Sequence, residues 1–329
     1  MRRTPRTAAA HRAERRGEPA PDPARPPEPR REDCPWCGST RLRIRVRTRP
    51  SAAPDPVRPG ALGVDECRDC AHVFRNPRPA AGERARHDSD APDGSRERHR
   101  FAERFLGARA SARRHRAAAR ALLSLPEPES WLDVGTGHGH FPEAAREIHP
   151  YTSFDGLDPT WRVHRAWAAG RVEEAHRGHL TDPAILARLR CRYDVVSMVH
   201  HLERAPDPRA ELRAALTVLR PGGHLLVEAI DPGRAFGRLL GGRWFPHGEP
   251  HRLHLVPPAN LLAELQALGC AIVATDHRAP QTPYVPAGAL APTPAGALPV
   301  PDRAPAPPLR RIRFSGAYRV IARTPPSSP

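Results

Sequence analysis

The chain has 329 residues with 42 prolines, 5% aromatic residues and a formal net charge of +16, and every one of its 52 basic residues is arginine. That length holds one full α/β domain plus something small. No apolar run approaches the ~20 residues that cross a bilayer, which excludes a membrane-spanning fold, and the opening lacks the apolar core of a secretory signal, so a cytoplasmic protein with no membrane partner is expected. The arginine, alanine and proline usage matches GC-rich coding, so composition alone is weak ground for a nucleic-acid partner. Distribution says more: residues 1–130 carry 29 arginines against 18 acidic groups, and residues 131–329 carry 23 against 18.

Residues 1–31 are rich in Pro, Arg and Glu and poor in large apolar side chains, the composition of a disordered tail. Residues 32–78 hold Cys34, Cys37, Cys67 and Cys70, two C-x-x-C pairs on the turns CPWCG and CRDC. This is zinc-ribbon spacing: each turn lets two thiolates converge, and four close a tetrahedral site of structural type. A disulfide reading suits a secreted chain and is disfavoured here. Four unrelated core thiols is the weaker alternative, because paired turns hide thiols badly. Between the pairs, Arg41 to Arg49 alternates with period two, predicting a strand with Leu42, Ile44 and Val46 on one face and five arginines on the other. A phosphate or other acidic partner is one use of that face. A solvated surface is the favoured reading, because no aromatic residues are interleaved for base stacking. Trp36 and Phe74 are expected to pack the ribbon, 50–60 to form a loop inside it, and 79–97 to be a polar linker.

A helical pattern covers 98–124. The stretch SWLDVGTGHGHF (130–141) then reads as an apolar strand, a glycine-rich turn and a helix over Phe141–Ile148. Gly135, Gly137 and Gly139 let backbone turn sharply and approach a ligand without a Cβ. The dinucleotide fingerprint G-x-G-x-x-G is missed, because position 140 is histidine. The next strand, Ser153 to Asp158, ends in a carboxylate where a ribose diol would lie; Asp155 in the same strand competes, and a helix-capping turn acid is the bland alternative for Asp158. A buried strand within RYDVVSMVHHLER (192–204) runs into a turn of titratable side chains, and LRPGGHLLVEAI (219–230) reads as a turn and a further strand. A helix is expected over Asn260–Leu268. Residues 280–309 form a Pro/Ala-rich excursion, RIRFSGAYRVIART alternates as a final strand, and 324–329 is a tail. Cys191 and Cys270 read as buried small hydrophobes.

The spacing D-x-G-x-G-x-G at Asp133–Gly139 resembles motif I of class I S-adenosylmethionine-dependent methyltransferases, and Asp158, the 192–204 strand and the LRPGG turn supply three further landmarks in order. The resemblance covers 98–323 and implies a Rossmann-like α/β fold with a seven-stranded sheet of order 3-2-1-4-5-7-6, preceded by a small zinc ribbon. Closer still is the likeness to bacterial methyltransferases whose ribbon reads CPxCG…CxxCxHxFxNP, matched by CPWCG and CRDCAHVFRNP with Ala71 where glycine is usual.

By that resemblance Gly135, Gly137 and Gly139 line the methionine and ribose of S-adenosylmethionine, Asp133 approaches its amino group and Asp158 its ribose hydroxyls. Pro159, His179 and Leu180 lie near adenine, with His179 where an acid is common, and Met198 closes the site from the fourth strand. His200 and His201 have the chemistry of a general base near neutral pH. Arg204 stands where relatives carry a histidine that helps some of them hold a divalent ion, so no catalytic metal is expected beside the structural zinc. His251 and His254 line the acceptor side. The missing Asn/Asp-Pro-Pro-Tyr turn argues against exocyclic amines of nucleobases or glutamine. The expected function is methyl transfer to a small molecule at O, N or C. The alternatives are an RNA or protein acceptor gripped by the arginine face, and an inactive cofactor-holding interaction protein.

Overall fold

A computed structural model describes residues 28–47, 63–79, 101–233, 252–279 and 316–326. Strands β1 (Leu42–Arg47), β2 (Gly63–Cys67) and β3 (Val73–Arg75) come first, then helix α1 (Phe101–Arg120). Regular alternation follows: β4 (Ser130–Val134), α2 (His140–Arg146), β5 (Ser153–Asp158), α3 (Arg162–Ala168), β6 (Ala175–Arg177), α4 (Pro183–Leu189), β7 (Tyr193–Val199), α5 (Pro208–Val218) and β8 (Leu219–Ile230). The chain ends with β9 (His254–Leu255), α6 (Pro258–Ala267), β10 (Ala271–Ala279) and β11 (Ala317–Arg323). Among the described residues no helix is long and apolar enough to cross a membrane.

Seven strands form one sheet in the order β10-β11-β8-β7-β4-β5-β6. Counted from β4, this is the expected 3-2-1-4-5-7-6. The five strands from β6 to β8 are parallel, and β11 runs antiparallel between β8 and β10. Apolar runs such as Trp131-Leu132 and Leu225–Val227 are buried on both faces, as parallel strands covered by helices require. On one face Leu132, Val196 and Met198 pack with Leu189, Leu212 and Leu265 from α4, α5 and α6. On the other, Trp131, Phe154 and Leu226 meet Ala118, Ala119 and Phe141 from α1 and α2. Capping sets the start of α5: Asp207 accepts from the N–H groups of Arg209 and Ala210, and Pro208 occupies the first turn. Strand order reverses around β4, which pairs with β5 on one side and β7 on the other, so the crevice beyond its carboxyl end is the ligand-binding position of such a sheet.

The cysteine-bearing segment shares its sheet with the second half of the chain. β9 pairs with β3, placing Leu255 opposite Val73 and His254 opposite Phe74, in a four-stranded sheet β1-β2-β3-β9. Trp36 and Phe74 are buried as expected, in the same apolar cluster as Leu212, Val256 and Leu261. Alternation in β1 breaks: the register shifts between Ile44 and Val46, and Ile44 is 42% exposed instead of packing beside Leu42. Three of the five arginines of the Arg41–Arg49 stretch are paired, Arg41 with Asp69 (2.7 Å), Arg43 with Glu66 (2.7 Å), and Arg45 with Glu66 (3.6 Å) and the Pro232 carbonyl (2.8 Å); the side chains of Arg47 and Arg49 lie outside the described residues. Before β1, Arg30 holds the buried Asp65 (2.7 Å), and the Arg31 N–H donates to Asn76 Oδ1 (2.8 Å). Cys270 is buried, but Cys191 is exposed on a tight turn at φ 49° and is no core residue. The loop at 50–60, the 80–97 part of the linker, His251 and the excursion at 280–309 lie outside the described residues.

Candidate active site

The glycine turn sits at the carboxyl end of β4, and its three glycines do different work. All have positive φ (75°, 52° and 75° at 135, 137 and 139). A Cβ at Gly135 would lie 2.5 Å from Nδ1 of His201, and one at Gly139 would lie 2.9 Å from the Cβ atoms of both Ala166 and Arg171. Those two glycines admit neighbouring protein. Among the described residues a Cβ at Gly137 would meet nothing within 4 Å, so the middle of the turn faces space that none of them fills.

Two carboxylates support this turn. Asp133 is buried beneath it; Ser197 Oγ donates to its Oδ1 (2.6 Å) and accepts from Trp131 Nε1 (2.9 Å). Burial pushes the Asp133 carboxyl up to about 7, against the hydrogen bond of Ser197 that favours the charged form. Asp158 closes β5 alongside. Its Oδ2 accepts the Gly137 N–H (3.0 Å), and its Oδ1 accepts the Thr160 N–H (2.8 Å) and hydroxyl (2.5 Å). A carboxylate offers about four lone-pair sites, so one on Oδ2 stays open, and rotation of the Thr160 hydroxyl frees another. Asp155 does not compete: its oxygens accept from Tyr193 Oη (2.9 Å) and the Glu174 N–H (3.0 Å). Pro159 and His179 are exposed beside the crevice, whereas Leu180 and Met198 are fully buried core residues, so Met198 contributes packing.

The turn after β7 separates its two histidines. His201 donates from Nε2 to the buried Glu211 (2.7 Å) and lays its ring on Gly135, forming part of the wall of the turn. His200, at φ 55°, holds Nδ1 3.2 Å from Glu203 Oε1 and Nε2 3.7 Å from Glu228 Oε1. Burial alone would raise the Glu203 carboxyl, but His200, Arg252 and a backbone N–H bring it down to about 2. An ionised carboxylate only accepts, so the imidazole proton lies on Nδ1 and the Nε2 lone pair is left for chemistry. Glu228 is held by Arg319 through Nε (3.0 Å) and Nη2 (2.6 Å). Two side chains of α1 join this corner: His115, edge-on to Phe141 at 5.8 Å, and the half-buried Arg114, whose charge acts on Glu228. Sequence reasoning missed both.

His254 lies elsewhere, a correction to its acceptor-side assignment. It is 2% exposed inside the four-stranded sheet, with Nδ1 3.0 Å from Nε2 of His72 and its ring stacked on that histidine at 5.2 Å. Beside this pair the four cysteine Sγ atoms all lie within 4.8 Å of one another, with Cys34–Cys70 at 3.7 Å and Cys37–Cys67 at 3.6 Å. A tetrahedral ion with Zn–S of about 2.3 Å holds sulfurs about 3.8 Å apart, so the thiols fit such an ion. The N–H groups of Trp36 and Asp69 point at Cys34 and Cys67 Sγ (3.4 Å each), as orienting donors around bound thiolates do.

A family described as "Methyltransferase domain" matches residues 99–275, more than half of the chain. The chain belongs to this methyltransferase family. With the seven-stranded order and the motif I turn, the methyltransferase domain is of the class I, S-adenosylmethionine-dependent type. It is 30% identical over 146 residues to the ubiquinone biosynthesis O-methyltransferase of Aeromonas salmonicida, covering 42% of this chain and 61% of that protein. To the protein of the same name from Azotobacter vinelandii it is 29% identical over 148 residues, covering 43% and 64%. The chain therefore spans less than two thirds of these curated relatives. A Thermotoga maritima S-adenosylmethionine-dependent methyltransferase described as a possible histamine N-methyltransferase aligns over 68% of this chain and 94% of its own, at 19% identity and a TM-score of 0.46. In the methyltransferase domain, the signal that could have exposed Arg114 is the run RRHR at 113–116, in which Arg116 faces solvent and pairs with Glu147 (2.6 Å). Helical spacing turns Arg114 away from Arg116.

Proposed function

We propose that this chain transfers the methyl group of S-adenosylmethionine to a small-molecule acceptor. The observation that carries this reading is the Asp158 carboxylate, bonded to the Gly137 N–H at the edge of space that no described residue fills, where strand order reverses. The relatives' printed names, O-methyltransferases of ubiquinone biosynthesis, support a small-molecule acceptor. The ion pairs of Arg41, Arg43 and Arg45 give those charges partners within the ribbon, which favours the small-molecule reading over an RNA or protein acceptor.

When bound, S-adenosylmethionine supplies an electrophilic sulfonium methyl that needs alignment more than activation. Asp158 takes the ribose hydroxyls on the lone pairs that Thr160 now partly occupies. Gly137 leaves room for the adenosyl body, and Asp133 supports the turn from below. His200 takes the acceptor's proton on Nε2 while Glu203 steadies the resulting imidazolium. The acceptor's electron pair forms the new bond to carbon, the carbon–sulfur bond breaks, and its electrons stay on sulfur. His201 and His254 take no part in proton transfer. Cys34, Cys37, Cys67 and Cys70 hold a structural zinc ion.

Isothermal titration with S-adenosylmethionine and, in parallel, NADH tests the reading. Wild type should bind the methyl donor and not NADH, and Asp158→Ala should bind the donor at least tenfold more weakly. Tight NADH binding without donor binding overturns it. Donor binding with no turnover to S-adenosylhomocysteine across candidate acceptors would favour a non-enzymatic role.

A further inference from the structure

The corner beside His200 carries a guanidinium, that of Arg114, which makes no hydrogen bond among the described residues and whose charge acts on Glu228. Helix α1 crosses this end of the sheet: Ala118, Ala119 and Leu122 enter the core, and the Ala117 carbonyl accepts from Nη1 of Arg319 (3.1 Å). Arg114 lies one turn before Ala117 on the same face of the helix. It is half-buried, and among the described residues it makes no hydrogen bond. The nearby carboxylate, Glu228, already takes two N–H donors from Arg319 on one oxygen and faces His200 with the other. Arg116, two residues on, is held by both oxygens of Glu147 at 2.6 and 2.9 Å, so the same helix shows what a satisfied arginine looks like.

His115 supplies no countercharge. Burial, then Arg114 and His200, push its imidazole down to about 4, so it is neutral at physiological pH. The corner formed by Arg114, His115 and His200 thus has, beside the candidate base, one guanidinium with no hydrogen bond among the described residues. Partial burial without a hydrogen bond is costly for a guanidinium, and its planar fork matches a carboxylate through two parallel bonds.

We infer that the methyl acceptor is an anion, a small molecule bearing a carboxylate that docks on Arg114 and thereby presents its nucleophilic atom to His200. This rests on the methyltransferase reading above and names the acceptor class for the same site. It is distinct from the arginine strand of the ribbon, where Arg41, Arg43 and Arg45 are paired with Asp69 and Glu66.

The test is calorimetric titration of the full chain with 4-hydroxybenzoate and with phenol, which differ by the carboxylate, with and without saturating S-adenosylhomocysteine. Wild type should bind 4-hydroxybenzoate at least tenfold more tightly than phenol. Arg114→Gln should abolish that preference while S-adenosylhomocysteine affinity stays within twofold, and Arg116→Gln should keep it. Equal affinity for the two probes, no measurable binding of either, or a preference that survives in Arg114→Gln overturns the inference. Because S-adenosylhomocysteine binding is read separately, its loss would strike the methyltransferase reading, while the probe preference of the unloaded protein would still decide the anion site.

Discussion

A methyl group added at Gly135 and one added at Gly137 meet opposite fates, which separates glycines kept for packing from one kept for a ligand. At Gly135 the new Cβ would fall 2.5 Å from an imidazole pinned by Glu211, at a φ of 75°. Gly135→Ala should therefore cost about 1–3 kcal/mol, seen as a lower urea midpoint. Gly137→Ala meets no atom of the described residues within 4 Å, so its cost should be only the roughly 1–2 kcal/mol of a left-handed backbone. Its larger effect should be on S-adenosylmethionine, because the methyl enters the space the donor would use; calorimetry should show at least a tenfold loss. Glu203 belongs to the same scale. Its folded-state pKa of about 2 lies below the 4.5 of an ordinary glutamate, so its stabilisation is fully present above about pH 4.5 and disappears as pH falls toward 2. The shift corresponds to about 3 kcal/mol. The stability gap between wild type and Glu203→Gln should be large at pH 7 and should shrink by most of the Glu203 contribution, to about a quarter of it, at pH 2.5, by urea titrations at each pH. An unchanged gap would mean that Glu203 is not ionised in the folded protein.

At the scale of elements, a two-residue strand has consequences beyond its length. β9 supplies only His254 and Leu255, yet it caps the ribbon sheet, and Glu203 anchors it by accepting the N–H groups of Leu253 (2.6 Å) and His254 (3.1 Å) on its carbonyl. The ribbon and the turn carrying His200 are thereby tied to one short segment. Replacing His254 with Phe keeps the ring stack but leaves the buried Nε2 of His72 without its partner. That should cost about 1–3 kcal/mol and raise amide exchange in β3 and at residues 253–256. Exchange unchanged at those amides would show that the histidine pair does not hold the two parts together.

For the whole molecule, one shared sheet and one shared apolar cluster predict one cooperative unit. Zinc at the four thiols should be found at about one equivalent by metal analysis of purified protein. Stripping it should lower the melting temperature of the entire chain in a single transition, because Trp36, Cys34 and Cys67 pack with the α5–α6 side of the catalytic core. Two transitions, with the upper one insensitive to the chelator, would show that ribbon and domain fold separately.

What could be read from the amino-acid order was whatever local rules write into short stretches. Doublets of cysteine on tight turns, apolar runs punctuated by glycine, and a carboxylate at a strand end mark the ribbon, the glycine turn and Asp158 through spacings of a few residues. The resemblance those landmarks carry to class I methyltransferases implies the seven-stranded order. Side-chain direction and partnership were another matter. His200 and His201 are neighbours of equal chemistry, and only the fold gives one a pair of carboxylates at an open corner and lays the other against Gly135. His254 looked like an acceptor-side group because its segment follows β8, but its partner His72 is 182 positions away. Ile44 lost its buried face to a register shift, Cys191 was turned outward, and Arg114 gained its position through the packing of α1 across strands more than a hundred residues later. Such contacts are settled by which surfaces meet when distant elements pack, and no periodicity within either segment records that choice.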